Sequence, residues 1–535
     1  MPIPGGPRPT RVPAQPLTQV AAWAGAAVPP GGDAIAVTGV TLSSRTVRPG
    51  DLYAALPGAR VHGADFAGQA AQAGAVAVLT DPDGVATAAG CGLPVLVVPD
   101  PRGVLGEVAA RLYGRPAEGM LMLAVTGTNG KTTTAFLLDA ALRAAGRTTG
   151  LIGTVEIRVG DEKVASTGTT PEAPDLHALF AVMREYGVDA CAMEISSHAL
   201  AQHRVDGLVA DVAGFTNLSQ DHLDYHHSMQ EYYEVKAQLF TPGRARRAVI
   251  CVDDAWGRRL AREATVPTVT VRSRPLHRGG VSPGGDEPPA DWQVSDVVLV
   301  DGHPQAEVTG PDGLALTLRS PLPGDFNLAN SLVALAMLAA GGMSAATAAA
   351  AIAAGPAVPG RMERVTGSGG DGEPLAVVDY AHSPDAVRVA LDALYGGGRP
   401  LVVVLGAGGD RDREKRPLMG AAAAQGADVV IVTDDNPRSE EPAAIRAAML
   451  AGIPDGTMVT EIADRRAAIA EGVRRAWGGG GLLVAGKGHE LGQEFAGQVF
   501  PFDDRDVVRQ ALLSAAQARV GVPSGTRTDV EGTSS

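Results

Sequence analysis

Residues 121–142, LMLAVTGTNGKTTTAFLLDAAL, constrain the fold more than any other segment. An unbroken apolar run is the pattern of a strand buried on both faces, which means a parallel sheet covered by helices. It passes directly into a glycine-rich turn and then into an amphipathic helical pattern. Glycines let successive backbone N–H groups face one point, and a helix N-terminus adds partial positive charge there. Such a turn holds an anion. Lys131 can reach terminal phosphates and the Thr132 hydroxyl can ligate Mg²⁺, so Gly127, Thr128, Asn129, Gly130, Lys131, Thr132 and Thr133 are expected to bind ATP. Val125 stands where the strict G-x-x-x-x-G-K-[ST] pattern has its first glycine, and an ordinary strand–helix turn is the plainer alternative.

The alternation recurs along all 535 residues. Strands are expected at Leu121–Val125, Ala190–Ile195, Val212–Phe215, Ala248–Val252, Leu375–Val378, Leu401–Leu405, Val429–Val432 and Leu482–Ala485, separated by helix-length, alanine-rich sequence. That is the signature of βαβ units in an α/β protein. One core does not normally serve so long a chain, and Pro/Gly punctuation falls near Pro116–Gly119 and at Gly355–Gly360. Three domains are expected, residues 16–117, 118–356 and 357–520. The Pro/Gly/Ser/Thr-rich ends, 1–15 and 521–535, are expected to be disordered, and Ser273–Asp291 to be a surface insertion. Leu42–Gly58 taken alone reads as a β-hairpin turning at Arg48-Pro49-Gly50-Asp51.

With 45% apolar but only 4% aromatic residues, the cores must be built from Ala, Val and Leu. The net charge of −14, with no dense Lys/Arg run, excludes nucleic acid as a main partner. Cys91, Cys191 and Cys251 have no metal-type spacing and no disulfide framework, which fits a reducing cytosol. The first residues lack the apolar core of a signal peptide, and no apolar run reaches the roughly 20 residues that span a bilayer. A cytoplasmic protein without a membrane span is expected.

Chemistry-bearing residues follow the next strands. Glu194 ends Ala190–Ile195, where α/β proteins bind ligands. A polar run, Thr216–His226, follows Val212–Phe215, and Lys236 lies ten residues beyond in a helical pattern. GTNGKTT, with Glu194, His222 and Lys236 in this order, resembles the Mur ligase family, which also includes folylpolyglutamate synthases. The resemblance implies a central P-loop-type ATPase domain between an N-terminal UDP-binding α/β domain and a C-terminal Rossmann-like domain. It implies that Lys131, Glu194, His222 and Lys236 are catalytic. It implies further that Thr132, Glu194, His222 and Lys236 hold Mg²⁺, two ions in all, with Lys236 modified to N6-carboxylysine, a carbamate. Two cations suit the chemistry, because moving a γ-phosphoryl to a carboxylate brings two anions together. By itself Lys236 reads as a solvated helix lysine, and His198, His203, His226 and His227 as structural or surface histidines.

The resemblance also assigns substrates. Leu42, Ser44 and the stretch Ala59-Arg60-Val61 would meet the UDP moiety. Thr169, Thr170, Ser196, Gln202 and Arg204 would meet a muramoyl dipeptide, with Arg204 on its free α-carboxylate; Gly168 stands where a relative can carry Asn. Asn327, Arg361 and Asp379 would join the nucleotide site, as would Asn330, although an asparagine at a helix start is often only a cap. Arg411, Asp435, Asn436, Pro437, Arg438, Gly486 and Glu490 resemble the amino-acid selector of the diaminopimelate-adding ligases. Asp435-Asn436-Pro437 also reads as plain helix-start chemistry, but that leaves Arg438 as a cation at a helix N-terminus. A guanidinium can grip the distal carboxylate of diaminopimelate bidentately, and Glu490 could accept the distal ammonium. Lysine would offer Arg438 only a like charge.

The implied reaction is an amide ligation through an acyl phosphate, joining 2,6-diaminopimelate to UDP-N-acetylmuramoyl-L-alanyl-D-glutamate at the expense of ATP, by a monomer. One guanidinium does not set whether the LL or meso isomer is used. A folylpolyglutamate synthase should lack the Ser196–Arg204 and Asp435–Arg438 patterns. A P-loop switch or motor would hydrolyse ATP without an amine acceptor.

Overall fold

The computed structural model describes residues 7–28, 30–58, 60–164, 168–273, 289–300, 302–394 and 400–520. Of the expected features, Ala59, the end segments 1–6 and 521–535, and residues 274–288 of the insertion lie outside the described residues. The chain divides into two compact units, Met1–Pro356 and Ala357–Ser535. Among the described residues no helix is long and apolar enough to cross a membrane.

The first unit carries two main sheets. The amino-terminal one has four parallel strands in the order Gly39–Thr41, Asp51–Ala55, Ala77–Thr80 and Val95–Val97. Helices Leu17–Ala24 and Pro101–Leu112 bury Leu17, Val20, Leu105 and Val108 against it. The second of these starts where the Asp100 carboxylate accepts the N–H groups of Arg102 and Gly103, with proline in the first turn.

Two expectations fail here. Gly39–Thr41 and Asp51–Ala55 pair in parallel, so Leu42–Gly58 is not a hairpin. The Arg48–Asp51 turn exists, with Asp51 N–H donating to the Arg48 carbonyl at 3.0 Å, but it leads into the second strand instead of joining two antiparallel ones. The amino-terminal residues from Arg8 to Gln15 are also ordered. Arg8 donates to Asp51 at 3.2 Å and to the Tyr113 hydroxyl at 3.1 Å, Thr10 N–H donates to Glu185 at 2.8 Å, and Gln15–Pro16 pairs with Ala36–Val37. Composition reports the average character of a segment and misses a single arginine with a buried carboxylate partner.

The second sheet of this unit has eleven strands. Its parallel core runs Thr149–Ile152, Ala190–Glu194, Leu121–Thr126, Val212–Phe215, Ala248–Cys251 and Thr268–Arg272. Leu121–Thr126 thus lies between Ala190–Glu194 and Val212–Phe215. The chain first builds to one side of it and then crosses to the other. Such a reversal opens a crevice at the carboxyl ends of the strands, and Gly127–Gly130 sit there. Except for Thr268–Val269–Thr270 at the start of the last of them, these strands are buried along nearly their whole length, as parallel strands covered on both faces must be. Residues 274–288 fall between Thr268–Arg272 and Trp292–Val300, which pair in parallel at Val271 and Arg272.

The second unit holds a six-stranded sheet in the order Glu363–Val365, Leu375–Asp379, Gly481–Ala485, Leu401–Leu405, Val429–Val432 and Val459–Glu461, parallel except for the first strand. The late strand Gly481–Ala485 is inserted beside Leu401–Leu405, which brings the loops after Leu405, Val432 and Ala485 to one edge. All eight strands expected from sequence occur, with ends shifted by no more than a residue.

Candidate active site

The glycine loop is shaped by its neighbours. Thr216 Oγ1 donates to the Asn129 carbonyl at 2.6 Å, Asn217 Nδ2 donates to the same oxygen at 3.0 Å, and Asn129 N–H donates to Asn217 Oδ1 at 3.0 Å. Two glycines are required by this packing. At Gly127 (φ +147°) a methyl group would sit 2.0 Å from Thr216 Oγ1, and at Gly130 (φ +86°) 2.1 Å from Asn330 Oδ1. Lys131, the first residue of helix Lys131–Ala144, curls its ammonium back to the carbonyls of Gly127 (3.0 Å) and Thr128 (2.8 Å).

Behind the loop, Thr132 Oγ1 donates to Glu194 Oε2 at 2.9 Å, and Thr154 N–H donates to Glu194 Oε1 at 2.7 Å. Thr154 Oγ1 also meets Glu194 Oε2 at 3.1 Å. Sequence reasoning missed Thr154, although it follows the strand Thr149–Ile152 and the strand-end rule that found Glu194 would have found it too. Lys236, on helix Met229–Ala237, is buried with its amine 2.8 Å from the Gly127 carbonyl and 4.7 Å from the Tyr232 ring centroid. Burial, and then the charge of Lys131, push its pKa well below the ordinary lysine value. His222 has φ +55° and packs against Tyr232 and His198, with ring centroids 6.3 and 4.9 Å away. Burial lowers its pKa to about 4, against the pull of Asp221. Of the remaining histidines, His203 bonds Asp206 at 2.8 Å, and His226 is fully buried against the Tyr232 ring.

Beside Glu194 lies a second polar group. Thr170 Oγ1 donates to the Glu194 carbonyl at 3.0 Å, Thr169 meets Thr154 at 3.0 Å, and Ser196 caps helix Ser197–Ala201. Arg204 donates to Gln202 Oε1 at 2.6 Å and to the Thr170 carbonyl at 3.2 Å, and it pairs with Glu172 at 3.0 Å. Arg102 reaches the same Glu172 at 3.0 Å. Thr169, Thr170, Ser196, Gln202 and Arg204 therefore cluster with Glu172, which stands in the same sequence stretch as the two threonines, and with Arg102, which was not singled out from sequence. In the amino-terminal sheet, Ser44 is buried and bonds Gln69 at 3.0 Å, while Leu42 packs on the core. Asn327 and Asn330 do not cap their helix. Asn327 donates to the Pro323 carbonyl at 2.7 Å, and Asn330 donates to Asn327 at 3.1 Å.

In the second unit, the Arg361 guanidinium stacks over the Tyr380 ring at 4.6 Å. Asp379 accepts Met362 N–H at 2.7 Å, and its pKa is raised by burial against the opposing charge of Arg361. The helix-start reading of Asp435-Asn436-Pro437 is not borne out: the helix begins at Pro442, and Arg438 sits in a loop at φ +54°. The backbone there is committed to a strand-like contact. Arg438 N–H donates to the Glu494 carbonyl at 3.1 Å, and its own carbonyl accepts Ala496 N–H at 2.7 Å. Its side chain donates to the Gly409 carbonyl at 2.7 Å and lies 3.5 Å from the Glu494 carboxylate. Asn436 Nδ2 donates to Glu490 at 2.6 Å, and fully buried Lys487 bridges Asn436 (3.1 Å) and Glu490 (3.0 Å). A methyl group at Gly486 would meet Asp435 at 2.5 Å. Gly409 N–H donates to the Asn436 carbonyl at 2.9 Å, so the three loops form one constellation. Arg411 alone points outward, exposed, bonding only the Asp410 carbonyl among the contacts seen. Lys487 and Glu494 were missed from sequence, since a fully buried lysine and a carboxylate on a following hairpin carry no spacing signal.

Three family models match in order along the chain: "Mur ligase family, catalytic domain" over residues 36–113, "Mur ligase middle domain" over 125–338, and "Mur ligase, glutamate ligase domain" over 360–488. A protein of Streptomyces avermitilis named UDP-N-acetylmuramoyl-L-alanyl-D-glutamate--2,6-diaminopimelate ligase is 55% identical over 96% of this chain and 99% of its own. A solved structure of a ligase with the same name is 31% identical, with a TM-score of 0.65 over 94% of this chain and 100% of that one. The MurF ligase of Thermotoga maritima, solved in complex with ADP, shares the fold at 19% identity, with a TM-score of 0.61 over 90% and 99% of the two chains. Matched from residue 36 to residue 488 and sharing more than half its residues with a nearly full-length relative, the chain belongs to the Mur ligase family.

Proposed function

We propose that the chain is an ATP-dependent amide ligase of peptidoglycan synthesis that adds 2,6-diaminopimelate to UDP-N-acetylmuramoyl-L-alanyl-D-glutamate. The observation that carries the choice of amino acid is the constellation around Arg438, whose guanidinium lies 3.5 Å from the Glu494 carboxylate while its neighbour Asn436 donates to Glu490. A partner with a cation and an anion at its far end fits that set, and lysine does not. The domain limits 16–117, 118–356 and 357–520, a cytoplasmic location and a monomeric state belong to the same reading.

Gly127–Thr133 bind ATP, with Lys131 turning from its loop carbonyls to the terminal phosphates; Asn327 joins the nucleotide contacts through Asn330, which stands against Gly130. Leu42 and Ser44 bind the UDP end. Thr169, Thr170, Ser196, Gln202 and Arg204 hold the dipeptide, and Arg204 exchanges its Glu172 partner for the α-carboxylate, leaving the γ-carboxylate free to react. Thr132 and Glu194 present hard oxygen donors 2.9 Å apart, as Mg²⁺ prefers. His222 and Lys236 as a carbamate would serve a second ion. Lys236 suits that modification because burial and the charge of Lys131 favour the neutral amine, the form that reacts with CO₂. When bound, Mg²⁺ screens the repulsion between phosphoryl group and carboxylate.

A γ-carboxylate oxygen attacks the γ-phosphorus and ADP leaves. The amine of diaminopimelate, held by Arg411, Asp435, Asn436, Pro437, Arg438, Gly486 and Glu490, attacks the acyl carbon. Inorganic phosphate departs with the original carboxylate oxygen, and the amide remains. Lys131 stabilises the negative charge that develops on the phosphoryl oxygens. The test is phosphate release by the purified chain, which should require both the UDP-linked dipeptide and diaminopimelate. Lys131→Ala should lower kcat by on the order of 10²–10³-fold with the fold intact. Release that ignores both substrates would reject the ligase reading.

A further inference from the structure

We propose that Arg102 is a positioning residue for the peptide acid: it keeps Glu172 compensated when Arg204 leaves that carboxylate for the substrate. The inference rests on the α-carboxylate role of Arg204 proposed above. Glu172 lies between two guanidiniums and gives one oxygen to each. Arg204 Nε is 3.0 Å from Oε1, and Arg102 Nη1 donates to Oε2 at 3.0 Å. The three side chains are partly exposed, within reach of an incoming ligand. The same Arg102 nitrogen meets the Gln202 carbonyl at 3.3 Å. Arg102 stands in the first turn of helix Pro101–Leu112, where the helix dipole disfavours a cation, and the Glu172 carboxylate offsets that cost. The helix is held close to the loop that follows Arg204. A methyl group at Gly106 would stand 2.4 Å from the Asp206 carbonyl oxygen, and one at Gly207 2.8 Å from the Gly106 carbonyl oxygen, so only glycine permits the approach.

Every nitrogen of the Arg204 guanidinium is engaged. Nε faces Glu172 and Gln202 Oε1, Nη1 donates to the Thr170 carbonyl at 3.2 Å, and Nη2 donates to Gln202 Oε1 at 2.6 Å. A substrate carboxylate must therefore displace a partner, and the one that matches it in charge is Glu172. Taking a cation from a partly buried carboxylate costs most when no second cation remains. Among the described residues, the cations paired with Glu172 are Arg204 and Arg102. With Arg102 in place the exchange ends in two matched pairs, Glu172 with Arg102 and Arg204 with the substrate. Without it, Glu172 keeps Arg204 and competes with the substrate for it.

The test is steady-state kinetics of the full chain with varied UDP-linked dipeptide, comparing wild type, Arg102→Met, Arg102→Lys, Arg204→Met and the double variant Arg102→Met/Glu172→Gln. Arg102→Met should raise the dipeptide KM by about three- to tenfold, with the KM for ATP unchanged. Arg102→Lys, which keeps the charge, should restore part of the loss. In Arg102→Met/Glu172→Gln the dipeptide KM should return toward the wild-type value, because no anion then competes for Arg204. An unchanged dipeptide KM in Arg102→Met overturns the inference. A rise that persists in the double variant overturns it as well, since Arg102 would then serve only the packing of helix on loop. A dipeptide KM unaffected by Arg204→Met, or phosphate release that ignores the dipeptide, overturns the proposed role of Arg204 and this inference together. A raised KM in Arg204→Met beside an unaffected Arg102→Met overturns this inference alone.

Discussion

Lys236 shows how one position changes meaning with its surroundings. In sequence it is a helix lysine like any other. In the folded chain its amine is buried against the Gly127 carbonyl, close enough to Lys131 to feel its charge. Both effects favour the neutral amine, and a neutral amine reacts with CO₂. The expected outcome is a carbamate resonance in ¹³C NMR after equilibration with ¹³C-bicarbonate, absent in Lys236→Arg, whose kcat should also fall by on the order of 10²-fold or more. A spectrum without that resonance at neutral pH would reject the modification. Glu194 was legible because strand ends in α/β proteins are binding positions. The same rule reaches Thr154, but Lys487 and Glu494 were not legible, because Asn436 and Arg438 come to them from a distant segment.

Among elements, the loops of the second unit are pinned by charge. Glu440 accepts from Arg416 at 2.8 and 3.1 Å and from Asp410 N–H at 2.6 Å, tying the loop after Leu405 to the loop after Val432. The Arg416 hydrogen bond holds Glu440 down to about 2. The unfolded chain therefore binds more protons than the native one below the ordinary glutamate value. The stability that Glu440 provides is complete above about pH 4.5 and is lost as pH falls toward about 2. Arg416→Met should lower stability by about 1.5–3 kcal/mol near neutrality. It should also flatten the pH dependence of urea denaturation between about pH 5 and pH 3; an unaltered slope would refute the pairing. The strands themselves were easy to read, since an apolar run flanked by turns has few other fates. The parallel pairing of Gly39–Thr41 with Asp51–Ala55 was not. A short connection with Pro-Gly in it is the usual mark of a hairpin, and only the sheet beyond Ala77–Thr80 shows which way the strands must run. The helix start expected at Asn436 failed for a related reason, because the hairpin at Gly492–Pro501 claims the Arg438 backbone before a helix can form.

At the scale of the molecule, the α/β class and the family followed from the order of motifs, because an ordered series across 535 residues is far more specific than any single glycine loop. The first unit holds the glycine loop and the residues proposed for the peptide acid, and the second holds those proposed for the amine donor, together with Arg361 and Asp379. The proposed reaction runs through an acyl phosphate, and an oxygen label tests it. With both oxygens of the D-glutamate γ-carboxylate carrying ¹⁸O, each turnover should release inorganic phosphate bearing one ¹⁸O, detected by mass spectrometry or by the ³¹P isotope shift. Phosphate free of label, released in step with amide formation, would mean that water and not the carboxylate takes the γ-phosphoryl, and would contradict the account.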